Sequence, residues 1–296
     1  MKNIIIAALI LFPSLIFPQI RVIGTIPDYA AIAKEIGGER VKTEALIKGT
    51  QDPHFADALP SHIMKLNKAE LLISTGLGLE SGWLPAILNN SRNKKIQPGS
   101  SGYIDASQYV ELKEVPQKID KSMGDVHPGG NPHFYTSPAE LFKIAAEIKN
   151  RLIQIDPVGR DYYEKNWTEF KVKFESKTAE WKTKIEPLKG TKVVVYHESW
   201  VYLLDWLGFK KVAALEPKPG IPPSSGHIAE VINQIQGKNV KFLFQEIYHP
   251  TSLSKKFASK TGVKLIVLPS MTGAEKGTDS IWDKFDTIIN KITKGE

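Results

Sequence analysis

The chain contains no cysteine, and this absence removes several chemistries at once. Disulfides, thiolate metal ligands and a cysteine nucleophile are excluded, and a lipid-modified cysteine at a processed N-terminus is not expected. Long hydrophobic runs are also scarce. The main one, Ile4 to Phe17, is interrupted by Pro13 and Ser14 and falls short of the ~20 residues that span a bilayer. With Lys2 ahead of it, the stretch has the charged start and apolar middle of a secretory signal. Residues 1–18 are therefore expected to be a signal peptide, with a mature chain from near Gln19, periplasmic export and no stable membrane insertion. Lys and Arg exceed Asp and Glu by 39 to 32, a net charge of +7, but no run of five or more basic residues with interleaved aromatics occurs. The excess reads as a solvated surface, and nucleic acid is not an expected partner. The HExxH and G-x-S-x-G stretches are missing, and Gly76-Leu77-Gly78 lacks the third glycine and the lysine of phosphate loops.

What is present is a strand–helix alternation. IRVIGT reads as a strand, DYAAIAKEIGGE as a helix closed by Gly37-Gly38, and VKTEALI as a second strand; PSHIMKLNKA, ELLIST and the helix in GLGLESGWLPAILNN continue the pattern. Ser137-Pro138 opens a helix with Leu141, Ile144, Ala145, Ile148 and Leu152 on one face. Past Pro157, Tyr163, Trp167, Phe170, Phe174, Trp181 and Ile185 recur at helical spacing and predict one long helix bracing two halves. From Thr191 the alternation resumes with KVVVYH, KKVAALEP, VKFLFQE and VKLIVLP as strands between helical segments, which implies a mostly parallel sheet. The expected fold class is α/β with two lobes: residues 19–156 as the N-terminal lobe, 157–188 as the connecting helix and 189–296 as the C-terminal lobe.

The seven histidines are unevenly placed. Two sit in a repeated Pro-His-Phe, within TQDPHFAD (His54) and GGNPHFYTS (His133). A proline fixes its own φ and biases the preceding residue toward extended geometry, so each stretch is a stiff loop with an aimed imidazole. Ligands of open parallel sheets bind beyond the carboxyl ends of the strands. His197 ends KVVVYH, Glu246 ends VKFLFQE, and Asp279 lies in the loop after VKLIVLP, so all three belong to one edge. Two lobes placed edge to edge bring His54 and His133 opposite His197 and Asp279. Three neutral imidazoles and one carboxylate suit a borderline divalent ion, zinc above all. Taken singly, each of these histidines reads equally well as an ordinary surface or core imidazole. His127 reads as a loop residue or an auxiliary metal donor, and His62, His227 and His249 as structural. Glu246 and Glu198 are candidates for orienting the imidazoles.

The stretches QDPHFADALPS, GLGLESGW, GNPHFYTSP, VVYHESWVYLLDWLGF, LEPKPGIPPSSGHI, FQEIYHP and GTDSIW resemble the metal-binding component of bacterial ABC importers, the zinc/manganese substrate-binding family. The resemblance implies two α/β lobes joined by a long rigid helix, a metal site in the cleft between them, and His54, His133, His197 and Asp279 as the ligands. It implies a monomer that captures a divalent metal ion, zinc with manganese or iron as alternatives, and delivers it to an ABC-type membrane permease. Some family members carry a carboxylate where this chain has His197, and the imidazole leans the expectation toward zinc. A competing reading is a metal-dependent hydrolase, but no motif places a general base, and four protein ligands close a tetrahedral site.

Overall fold

The structure, a computed structural model, describes residues 19–117, 127–218 and 220–295. The expected signal segment, residues 1–18, lies outside them. The first half builds a four-stranded parallel sheet from β1 (Ile20–Gly24), β2 (Val41–Ala45), β3 (Leu71–Ser74) and β4 (Tyr103–Asp105), in the order β2-β1-β3-β4. The second half repeats that order, β6-β5-β7-β8, with β5 (Lys192–Val195), β6 (Lys210–Ala214), β7 (Val240–Glu246) and β8 (Lys264–Leu268). All six pairings are parallel. Strands covered on both faces read as unbroken apolar runs, as Leu71-Leu72-Ile73 and Val193-Val194-Val195 do here, all buried.

Around the first sheet lie α1 (Pro27–Gly37), α2 (Pro60–Asn67) and α3 (Leu84–Asn90). Each has a proline in its first turn, where the missing N–H is one the helix would not use. α1 stops at Gly38, which takes φ +51° and donates its N–H to the Lys34 carbonyl. α4 (Pro138–Ile155) buries the predicted face of Leu141, Ile144, Ala145, Ile148 and Leu152; Ser137 occupies its cap position without a side-chain hydrogen bond.

The long helix α5 (Arg160–Ile185) runs between single 3₁₀ turns at Pro157–Gly159 and Glu186–Leu188. Its aromatic stripe is core. Phe142 of α4 stacks on Trp167 and Phe174, with ring centroids 5.2 and 4.3 Å apart. Further along, Phe170 meets Trp282, and Trp181 meets Phe285, both on α9 (Ile281–Lys294). Each fully buried aromatic or aliphatic side chain contributes roughly 1.5–3 kcal/mol. Because α9 returns from the second half to α5, one continuous core includes Val22 and Ile73 of the first sheet and Phe242 and Phe244 of the second. A smaller cluster around Val194, Leu243 and Phe257 seals the other face of the second sheet beneath α7 (Ser225–Ile235) and α8 (Ser252–Thr261). The remaining helix, α6 (Val201–Leu207), follows β5 and ends at a left-handed Gly208. No helix among the described residues is long and apolar enough to cross a membrane.

Polar contacts cross between the halves close to the carboxyl edges of the sheets. The Tyr202 hydroxyl donates to the Asn131 carbonyl (2.8 Å), the Asn131 amide donates to the Glu198 carbonyl (2.8 Å), and Thr136 donates to the Ser199 carbonyl (3.2 Å). These contacts set the His133-bearing loop of the first half against the loop that carries His197.

Candidate metal centre

His54 follows β2, His133 opens a 3₁₀ turn before α4, and His197 lies two residues beyond β5 at the start of the 3₁₀ turn leading into α6. One ring nitrogen from each lies within 4.8 Å of the others. The ring centroids are 5.1 Å apart for His54–His133 and His133–His197, and 5.4 Å for His54–His197. His133 and His197 are buried, at 2% and 6% exposure, so this cluster has left bulk water.

The repeated Pro-His-Phe is more fully an Asx-Pro-His-Phe. Asp52 Oδ1 accepts from the His54 backbone N–H (3.0 Å) and lies 2.7 Å from its Nδ1. Asn131 Oδ1 accepts from the His133 backbone N–H (3.0 Å) and lies 2.9 Å from its Nδ1. The same Asx turn is thus built twice, each time clamping main chain and imidazole with one oxygen. The orientation of the Asn131 amide is fixed, because its nitrogen donates to Glu114 and to the Glu198 carbonyl. His197 reaches the same end by a long-range contact, its Nδ1 lying 2.6 Å from Glu216 Oε2.

With an acceptor at each Nδ1, that nitrogen carries the proton and Nε2 carries the lone pair. The Nε2 atoms of His54, His133 and His197 are all buried without a hydrogen-bond partner. Three orphaned buried acceptors converging on one point would be costly in a purely structural cluster. They fit a divalent ion held by neutral imidazoles, each oriented from behind by an oxygen. A pocket of about 30 Å³, on the scale of one water or ion, opens beside them between Asp52, Glu216 and His249.

The electrostatics differ around the cluster. Burial, aided by the neighbouring imidazoles, pushes the His133 pKa well below its ordinary value. Burial would also lower His197, but the hydrogen bond to Glu216 and the charges of Glu246 and Asp52 overcome it and hold that pKa above the usual value. Burial raises Asp52, and its bond to His54 more than reverses this. Glu246, the last residue of β7, is fully enclosed, and burial lifts its pKa to about 7.

Three of the four residues expected as ligands therefore come together, and Asp279 stands outside the group. It is exposed, directly ahead of Ser280, whose capping box with Asp283 fixes the start of α9. The orienting groups also differ from expectation. Glu198 pairs with Lys211 instead of a histidine, and Glu246 makes no hydrogen bond to an imidazole. Asp52, Asn131 and Glu216 do the orienting. The Asx residue two positions before each Pro-His-Phe histidine was the visible signal for the first two; Glu216 had none. His127 stands beside the group, its ring 5.4 Å from His54. His227 and His62 stay apart; His249 lies 6.2 Å from His197 at the pocket wall.

Comparison with known proteins identifies the family. The family model described as zinc-uptake complex component A, periplasmic, matches residues 22–295. The high-affinity zinc uptake system protein ZnuA of Bacillus subtilis (strain 168) is 23% identical over 262 residues, covering 87% of this chain and 80% of its own length. The manganese ABC transporter substrate-binding lipoprotein PsaA of Streptococcus mitis is 22% identical over 285 residues, covering 94% and 89%. Among solved structures, a zinc-bound deletion mutant of ZnuA is 25% identical with a TM-score of 0.77, covering 94% of this chain and 98% of that one. The chain thus belongs to the family of the periplasmic zinc-uptake complex component A.

Proposed function

We propose that this chain captures a divalent metal ion in the cleft between its lobes and hands it to an ABC-type membrane permease, with zinc as the cargo. The observation that carries this reading is the convergence of three buried, unpartnered Nε2 atoms from His54, His133 and His197. The relatives named above support metal transport, one through zinc and one through manganese. Within that pair, an all-imidazole cluster favours zinc, because harder manganese prefers carboxylate and water oxygens. Zinc would bind with release of the proton held by any imidazolium in the cluster. The protein would work in the periplasm as a monomer and carry out no catalysis itself.

Elemental analysis of protein isolated from the periplasm without added metal tests the proposal. About one zinc per chain is expected, matching a single closed site. Stoichiometric manganese would move the cargo assignment to that metal, and protein that takes up neither ion on incubation would contradict the reading.

A further inference from the structure

Three imidazoles leave one corner of a tetrahedral ion unassigned, and Asp279 is exposed and outside the 4.8 Å group. We propose that His127 supplies the fourth donor through Nε2, so that the cargo is held by four imidazoles. The inference rests on the metal-transport reading above and names the coordination it uses.

The first observation is position. The His127 ring lies 5.4 Å from His54, the same separation as between His54 and His197, and 6.3 Å edge-on from His133. His127 and His54 also line one groove together with Gly78 and Pro128, so both rings face the same space.

The second is the choice of ring nitrogen. His127 Nδ1 is 3.0 Å from the Leu77 carbonyl, which can only accept, so Nδ1 is the protonated nitrogen and Nε2 holds the lone pair. His54, His127, His133 and His197 each have Nδ1 tied to an oxygen in this way, through Asp52, Leu77, Asn131 and Glu216 respectively. His227, away from the cluster, does the reverse and places Nε2 on the Ala214 carbonyl. The Leu77 carbonyl is itself set by an uncommon backbone: Leu77 takes φ +54° between Gly76 at +83° and Gly78 at +84°.

The third is the tether. His127 is joined to Asn131, which clamps His133, by Pro128-Gly129-Gly130, with Gly130 at φ +119°. The His127 donor is not part of the 4.8 Å triangle, so a shift of this tether is needed to bring it in. A fourth neutral donor would keep formal charge out of direct contact with the ion, leaving Asp52 and Glu216 to balance it from behind the rings. Such a set discriminates against manganese more strongly than three imidazoles and a carboxylate would.

The test combines calorimetry with the absorption spectrum of the cobalt-loaded protein, whose bands report ligand type and number. For His127→Ala the expected result is zinc affinity weaker by at least roughly 10- to 100-fold, the scale seen when even an outer partner of a ligand is lost. The ratio of zinc to manganese affinity should fall, and the cobalt bands should shift. His227→Ala serves as the control and should match the parent in all three. Parent-like affinity and an unchanged cobalt spectrum in His127→Ala would overturn the proposal, as would loss of the parent spectrum in Asp279→Ala alone. A parent chain that binds neither zinc nor cobalt would overturn the transport reading itself, and this inference with it.

Discussion

The ammonium of Lys284 in α9 lies 2.5 Å from the carboxylate of Asp28 in α1, and both side chains are completely buried. Lys284 also donates to the Tyr135 carbonyl (2.9 Å), two residues past His133, while Asp28 accepts from the Thr272 N–H and hydroxyl (3.1 Å each). One buried ion pair thus ties the first helix, the His133 turn, the loop after β8 and the last helix together. Removing one partner leaves the other charged and enclosed, which costs about 3–5 kcal/mol. Lys284→Met should destabilise the metal-free protein by that amount in urea denaturation. Adding Asp28→Asn should recover much of the loss, since the amide oxygen still accepts from Thr272 and no buried charge remains. An unchanged urea midpoint in Lys284→Met would refute the role given to this pair.

The acceptors behind the imidazoles lead to a second expectation. Glu216→Ala frees the His197 ring to rotate and should weaken zinc binding by roughly 10- to 100-fold, read by calorimetric titration. Glu198→Ala should leave affinity close to the parent, because that carboxylate pairs with Lys211 and only its backbone carbonyl meets Asn131. Equal effects of the two substitutions would remove the distinction between orienting and surface carboxylates.

Acid should act on the metal-free protein through two histidines with opposite signs. His133 is depressed in the folded chain, so below about pH 6.5 the unfolded chain takes a proton that the folded one refuses. Its contribution is present above that pH and is lost as pH falls through the folded value. His197 is raised, so its contribution is full below about pH 6.5 and is lost as pH climbs through its folded value. Urea midpoints measured from about pH 5 to pH 8 should therefore fall on the acid side, and His133→Gln should flatten that limb. An acid limb that is unchanged in His133→Gln would show that other groups set it.

Much of the architecture was legible because burial writes a local period into the chain. VKFLFQE is the strand Val240–Glu246 residue for residue, the α4 face is buried where its spacing puts it, and on α5 Tyr163, Phe170, Trp181 and Ile185 are buried with Trp167 and Phe174 packed half-buried against the core. The repeated Pro-His-Phe led to two of the clustered imidazoles, and the strand-end position of His197 led to the third. Contacts that close over distance leave no such trace. Glu216 reaches His197 from 19 residues away, and Asp28 reaches Lys284 across 256. Asp279 lies in the loop after β8, as its strand-end position suggested, but next to the capping box at Ser280 its side chain is exposed and outside the three-histidine group.

Three imidazoles with buried Nε2 atoms should surround the bound ion. X-ray absorption at the zinc edge of the loaded protein reads this without any substitution. A shell of nitrogen donors at about 2.0–2.1 Å with outer-ring scattering from at least three imidazoles is expected. A shell dominated by oxygen, with scattering from one imidazole or none, would contradict it.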